Sequence, residues 1–377
     1  MKNKIIYVGG FKLPDRSASA LRAMEFSYLI KKSGYEPIII GKLDDENHKS
    51  YEGIPCYSID SKGCKYNLDI GSIERVISEI GSNTIHSMVA YNYPPIALFK
   101  LMVFCKRKNI QLIADLTEWY GWDGVGIYRD TVRFLATQLR MRVLCRLIKK
   151  KIYASSFLDE FYNNHKGYIL PFCTSIERNV WANEEKTLNN DITHFVYAGS
   201  PGYKLAKDRI DKIISAFYRI NDKTTKYKFN IVGISKTEYI DIYPEHEVFL
   251  KELEDKITFK GRLSHKETLI IVRNSDFSIL IRPDNRVSNV GFSTKIVESL
   301  ACETPVIVNI TSDIEKYIEE SRTGILIGQL DRALDSALIK SINMTKEERL
   351  EMANYCENHN PFYVENYISS FTEFLER

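Results

Sequence analysis

The run Ile281-Arg-Pro-Asp-Asn-Arg-Val-Ser-Asn-Val-Gly-Phe-Ser-Thr-Lys-Ile-Val-Glu-Ser-Leu-Ala-Cys-Glu-Thr-Pro-Val-Ile307 decides the fold class of its half of the chain. It continues the apolar segment 276–281, which reads as a strand, into a loop carrying Gly291. Ser293 or Thr294 is then placed to cap a short helix bearing Glu298, and a second strand opens at Pro305. Strand, loop, helix and strand within about thirty residues is the repeating unit of a parallel sheet. A helix start offers free amides and the positive end of a dipole, which suits a phosphate. Glu298 follows one turn in, at the reach of sugar hydroxyls.

The same alternation extends outward in both directions. Downstream, Ser312-Asp-Ile-Glu315 and Thr345-Lys-Glu-Glu348 read as capping boxes opening two late helices. Upstream lie expected strands at 194–198, 228–232 and 256–259, with helices over 208–220 and 265–273. A polar stretch, 174–192, interrupts the pattern and reads as a linker. Before it come a strand at 4–8, the pair Gly9-Gly10, a helix over 18–33 and strands at 36–40, 85–90 and 111–114. The expectation is an α/β chain with domains at 1–173 and 193–360 and an amphipathic terminal segment, 361–377. A length of 377 residues suits two domains.

Composition narrows the function. Lys and Arg total 52 against 49 Asp and Glu, a net charge of +3 that gives nucleic acid no support. The seven cysteines are scattered without a C-x-x-C pair, which points to reduced, packed thiols. No H-E-x-x-H or D-x-D occurs, so no metal site is expected. No apolar run is long enough to span a bilayer, and the N-terminal one is too short for a signal peptide. A cytoplasmic protein is expected.

Three further stretches have residues suited to chemistry. Gly9-Gly10 follows the first strand and is either a plain turn or a place where backbone amides approach a phosphate; it is neither G-x-G-x-x-G nor a Walker A loop. In Tyr197-Ala-Gly-Ser-Pro-Gly-Tyr-Lys-Leu-Ala-Lys-Asp-Arg-Ile-Asp211 a strand leads through a glycine loop to a helix start carrying Lys204, Lys207 and Arg209, cations able to neutralise a diphosphate or simply to be solvated. The stretch 131–153 holds seven cations (Arg133, Arg140, Arg142, Arg146, Lys149, Lys150 and Lys151) and no acid. Read as one helix, it either lies on an anionic membrane or packs on the core with a solvated basic face.

Taken together, these stretches resemble a family 4 glycosyltransferase of the GT-B superfamily, over nearly the whole length. The segments 195–200, 207–217, 257–262 and 291–307 fall in family order, and the last is similar to the helix bearing the second glutamate of an E-x7-E motif. The resemblance implies two Rossmann-like α/β domains and a terminal helix, 361–377, returning to the first. It further implies retaining, metal-independent transfer of a sugar from a nucleotide-diphosphate sugar to an acceptor hydroxyl, with no cofactor. Lys207 is then expected on the diphosphate with Gly9 and Gly10 beside it. Gly291, Phe292, Ser293 and Thr294 are expected on phosphate or sugar, Glu298 on the ribose, and Gly261 and Arg262 near the base.

The sequence departs from the family at several positions. Val290 stands where the first glutamate belongs, leaving the sugar contact to Asn289 or to backbone. Ser200 replaces an arginine, for which Arg209, Lys204 or Lys295 is a substitute, and Glu303 replaces a helix-ending glycine. No histidine follows the 111–114 strand; Asp115 and Glu118 do, with Trp119, Tyr120 and Trp122 suited to stacking on an acceptor sugar. The expected acceptor is a glycan or a lipid-linked intermediate of capsule or other surface-polysaccharide synthesis, with the protein peripheral on the inner face of the plasma membrane. Competing readings are a non-catalytic GT-B partner subunit and a sugar-nucleotide epimerase.

Overall fold

Apolar runs buried on both faces form the strands of two parallel sheets, as their lack of polar alternation requires. The computed structural model describes all residues except 1–2, 14–16, 44–49, 61–68, 122–126, 163–165, 179–185, 187, 189–190, 223–225 and 329–331. The chain divides into one unit of Met1–Ser175, Val290–Phe292 and Phe362–Arg377, and a second of Ile176–Asn289 and Ser293–Pro361.

The first unit has strands β1 (Lys4–Lys12), β2 (Glu36–Lys42), β3 (Ser50–Tyr51), β4 (Ile54–Ser58), β5 (Ile85–Tyr91), β6 (Gln111–Leu116), β7 (Lys150–Tyr153) and β8 (Tyr168–Ile169). They are ordered β3-β4-β2-β1-β5-β6-β7-β8, and only the β3–β4 pair is antiparallel. Tyr7 of β1 lies opposite Ile39 of β2 and Val89 of β5. The strand order reverses between β1 and β5, and in open parallel sheets a ligand crevice forms beyond the carboxyl ends at such a point. The terminal helix Ile368–Glu376 contributes Phe371, Phe374 and Leu375 to this unit's core.

The second unit has β9 (Thr193–Ala198), β10 (Tyr227–Val232), β11 (Ile257–Gly261), β12 (Phe277–Leu280), β13 (Val306–Asn309) and β14 (Gly324–Ile327), in the order β11-β10-β9-β12-β13-β14. Its order reverses between β9 and β12. The loops after those two strands are the two stretches that stood out in the sequence.

The structure corrects two local expectations. The basic stretch 131–153 is not one helix: the helix Ile127–Leu139 passes into a π turn, Arg140–Leu144, and Lys150 and Lys151 belong to β7. Three of the seven cations turn inward. Arg140 and Lys151 are buried, and Lys150 donates to the carbonyls of Phe374 and Leu375 at 2.9 and 2.7 Å, at the negative end of the terminal helix. Ser312 forms no capping box: it sits at φ 54° and Asp313 occupies the cap position, whereas Thr345 and Glu348 do form one. Two more boxes, Ser235 with Glu238 and Ser264 with Glu267, open helices at Lys236 and His265.

Candidate functional site

In the second unit the chain leaves β9 through Gly199, whose φ of 133° suits glycine, and turns back through Gly202 at φ 83°. The side chain of Lys295 crosses Gly199 so closely that a Cβ there would stand 2.3 Å from Lys295 Cε. Lys295 Nζ lies 2.9 Å from Asp208 Oδ2 and 5.8 Å from the centre of the Tyr197 ring. Asp208 is fully buried; it also accepts from Arg282 Nε at 3.1 Å and from the Tyr197 hydroxyl at 2.7 Å. Burial opposes its ionisation, but Lys295 and then Arg282, with the hydrogen bonds from Lys295 and Tyr197, hold its carboxyl well below the usual range. One carboxylate between two cations leaves the cluster with a net charge of +1.

Beside this cluster starts the helix Thr294–Ala301, the one read from the sequence. Ser293 is its cap residue and makes no side-chain capping bond; its hydroxyl is buried without a partner. The first turn of a helix has amides with no intrahelical acceptor, so a cation, amides and an unpaired hydroxyl occur together. Glu298 lies further along the helix with Oε1 3.4 Å from His265 Nε2.

The remaining donor candidates are placed as follows. Lys204 and Lys207 are exposed on the Gly202 loop, Lys204 at φ 48°, and Ser200 is exposed with its carbonyl 3.5 Å from Lys295 Nζ. Arg209 is paired through both Nε and Nη2 with Asp211, at 2.9 and 2.6 Å. Gly261 turns at φ 66°, and the exposed Arg262 pairs with Glu238 at 2.7 Å. Asn289 ties its own loop, donating to Asp284 at 2.7 Å and accepting from the Ser312 amide at 2.8 Å. Val290 is buried in the first unit's apolar core, where Ser155 donates to its carbonyl at 2.8 Å, and the Phe292 ring lies tilted against that of Phe362, 5.2 Å between centres. The Val290 side chain is therefore committed to that core.

In the first unit a cavity of about 300 Å³ opens at the ends of β1, β5 and β6. Gly10, Tyr91, Asn92, Glu118, Tyr120 and Arg133 are among its walls, with Arg140 behind them. Arg140 donates to the carbonyls of Asn92 and Glu118 at 2.8 and 2.6 Å, from the π turn that re-aims it. Arg133 stacks 4.1 Å over the Tyr120 ring, and the Tyr120 hydroxyl donates to the Glu118 carboxylate. Burial, then that carboxylate, pushes the Tyr120 phenol far up, so it remains a donor. A carboxylate, guanidinium groups and aromatic faces in one wall suit a polyhydroxylated ligand.

Two acceptor candidates belong elsewhere. Asp115 is fully buried, bound by Arg22 through Nε and Nη2 at 2.9 Å each and by the Tyr7 hydroxyl at 2.6 Å. Both its oxygens are occupied, so it fixes the sheet and does not orient a substrate. Trp119 packs edge-to-face on Phe161 at 4.6 Å inside the core and offers no stacking face. Trp122 lies outside the described residues. Sequence reading missed Asn92, Arg282, Asp208 and the inward role of Arg140. The lone acid between Lys207 and Arg209, at the end of the glycine loop, was the available signal for Asp208. Among the described residues no group of three or more His, Cys, Asp or Glu is placed to hold a metal.

Residues 193–343 match the family model described as glycosyl transferases group 1. No curated protein sequence matches the chain. Among solved structures it is similar to sucrose-phosphate synthase from Thermosynechococcus elongatus, at 12% identity and TM-score 0.71 over 99% of this chain and 98% of that one. It is similar also to Anabaena HepE in complex with UDP and glucose (15%, TM-score 0.65, 99% of each chain). WaaG, a glycosyltransferase involved in lipopolysaccharide biosynthesis, is a third (11%, TM-score 0.64, 98% of this chain and 99% of that one). The chain has the GT-B fold, and residues 193–343, within its second unit, are similar to the group 1 glycosyl transferases.

Proposed function

We propose that this protein is a retaining, metal-independent glycosyltransferase moving a sugar from a nucleotide-diphosphate sugar to a glycan or lipid-linked acceptor in surface-polysaccharide synthesis. The observation that carries the reading is the start of the Thr294–Ala301 helix, where helix amides, the buried unpaired Ser293 hydroxyl and the Lys295 ammonium lie together. Such donors stabilise negative charge building on a departing diphosphate without reorganising at the moment of reaction. Lys207, exposed on the adjacent loop, adds a second cation, and Glu298 takes the ribose hydroxyls. The acceptor occupies the first unit's cavity. There Glu118, held by Tyr120, accepts from a neighbouring hydroxyl of the acceptor and so orients it, while the reacting hydroxyl's own proton passes to a donor phosphate oxygen as its oxygen bonds to the sugar and the sugar–diphosphate bond breaks.

HepE is described with UDP and with UDP-glucose, which favours a uridine donor here. A thermal-shift panel of UDP-, GDP-, ADP- and CMP-sugars, with and without EDTA, tests the reading, since a ligand of the native state raises the melting temperature. One nucleotide class is expected to give a selective shift that survives EDTA and is lost in Lys295→Met and Lys207→Ala. A shift that needs a divalent ion removes the metal-independent mechanism. Binding without sugar transfer to any acceptor glycan favours the non-catalytic partner subunit, the second reading, which the burial of Val290 supports.

A further inference from the structure

The helix Ile127–Leu139 and the π turn after it hold Arg140 inward and yet leave a row of apolar side chains outward. Tyr128, Val132, Leu135, Leu139, Val143 and Leu147 are all exposed, Tyr128 at 85%, Leu135 at 59% and Leu147 at 66%. At about 100° per residue the first four fall within an arc of about 60° on the helix. Val143 and Leu147 continue the four-residue spacing through and beyond the π turn. Isolated exposed apolar residues are ordinary, but a continuous stripe of this length marks an interaction face.

The charge around the stripe says what it meets. Arg142, Arg146 and Lys149 are exposed along it, and no acid follows in the sequence before Asp159. The helix Pro95–Lys108, which packs against this one, exposes Ile96 and Phe99, together with Lys100, Lys106, Arg107 and Lys108, and contains no acid at all. The one acid of the Ile127–Leu139 helix, Asp130, is buried. These two neighbouring helices therefore expose cations and apolar side chains and no carboxylate. No helix among the described residues is long and apolar enough to cross a bilayer.

We infer that this face docks on an anionic lipid surface, the apolar stripe entering the headgroup boundary and the cations lying among lipid phosphates. An apolar strip with cations beside it is the composition of an interfacial helix. A protein partner of equal apolarity would leave seven exposed cations to be matched by carboxylates one by one, whereas a lipid surface supplies negative charge without register. The surface differs from the one basic helix expected from the sequence: it excludes Arg140, Lys150 and Lys151 and adds a second helix. It rests on exposure and charge and does not depend on the transferase reading.

Co-sedimentation of the full chain with phosphatidylcholine vesicles, with and without phosphatidylglycerol, tests it in the absence of any donor. Binding is expected only to the anionic vesicles and is expected to weaken as salt is raised. The double variant Leu135→Asp/Leu139→Asp should lower the apparent affinity at least ~10-fold, and Arg146→Glu/Lys149→Glu should do so with a reduced salt dependence. These side chains are exposed, and melting temperatures within a few degrees of wild type would show the variants folded. Three results overturn the proposal: no pelleting with anionic vesicles, equal pelleting with neutral ones, or undiminished binding of both folded variants. Sedimentation equilibrium gives a fourth, a dimer dissociated by Leu135→Asp/Leu139→Asp, which would assign the stripe to a second copy of the chain.

Discussion

Each unit buries a tyrosine, an aspartate and a cation beside its first strand, and the two clusters have different outcomes. In the first, Tyr7 and Arg22 converge on Asp115, and Arg22 also donates to the carbonyls of Leu170 and Pro171 at 3.2 and 3.1 Å. One charge meets one charge, and neither has a polar atom left for a ligand. In the second, Tyr197 and two cations converge on Asp208, so positive charge is left over, next to a helix start whose cap hydroxyl is unpaired. Similar chemistry thus closes one site and primes the other. Stoichiometry of charge, more than burial, separates a closed cluster from one with positive charge to spare.

The largest effect is expected from breaking the closed cluster. Asp115→Ala strands the buried Arg22 guanidinium and should cost about 3–5 kcal/mol in a urea denaturation, while Arg22→Met/Asp115→Leu should recover most of that loss. Lys295→Met in the open cluster leaves Asp208 with Arg282 and Tyr197 and should cost only about 1–2 kcal/mol. Under the proposed function, however, sugar transfer should fall by about 100-fold or more, because the lost charge is the one set against the departing diphosphate. Equal stability losses with unchanged nucleotide binding would erase the contrast.

Gly199→Ala sharpens it. A Cβ would meet Lys295 Cε at 2.3 Å on a backbone at φ 133°, so the lysine must move or the loop must shift. The expected cost is about 1–3 kcal/mol together with weaker binding of the sugar nucleotide in calorimetry. A variant that is destabilised but binds normally would show that the lysine's position does not matter to the donor.

The sheets were legible because buried parallel strands are apolar without interruption, as at Lys4–Val8 and Phe195–Ala198. The Thr294–Ala301 helix was legible because Ser293 stands at its cap position, although that serine makes no side-chain capping bond. Lys150 and Lys151 misled because two lysines ahead of Ile152 continue a basic run; a strand there requires acceptors supplied by the terminal helix, over 200 residues away. Asp115 looked like an active-site acid because it ends a central strand. Only its partner Arg22, 93 residues earlier in the chain, shows that it is spent. Local pattern reports which elements form; it is silent on which charged groups find each other across them. Glu303 is an intermediate case. Its place in the sequence suggested a glycine, and it does adopt φ 57°, held by an ion pair with Arg273 at 2.7 Å.

The smallest effect per residue, and the one that separates the two units most directly, is alkaline. In the first unit burial pushes the thiols of Cys56 and Cys105 up to about 12 and that of Cys145 up to about 11, and it raises Cys173 as well. In the second only Cys302 and Cys356 are comparable among the described cysteines, both at about 12. A thiol whose folded value lies above its unfolded one contributes stability fully present below the unfolded value, near 9, and lost as pH rises toward the folded value. At one unit above 9 each buried thiol costs roughly 1 kcal/mol. Lys186 of the second unit works the other way. Burial lowers it to about 8, only partly offset by Asp276, so between about 8 and its ordinary 10.5 the unfolded chain holds the extra proton and the fold gains stability. Scanning calorimetry from neutral to alkaline pH should therefore show the first unit's transition falling and the second's holding, with Cys105→Ala flattening the fall. Transitions that move together would mean that the units unfold as one, and the contrast between them would then be confined to their sites.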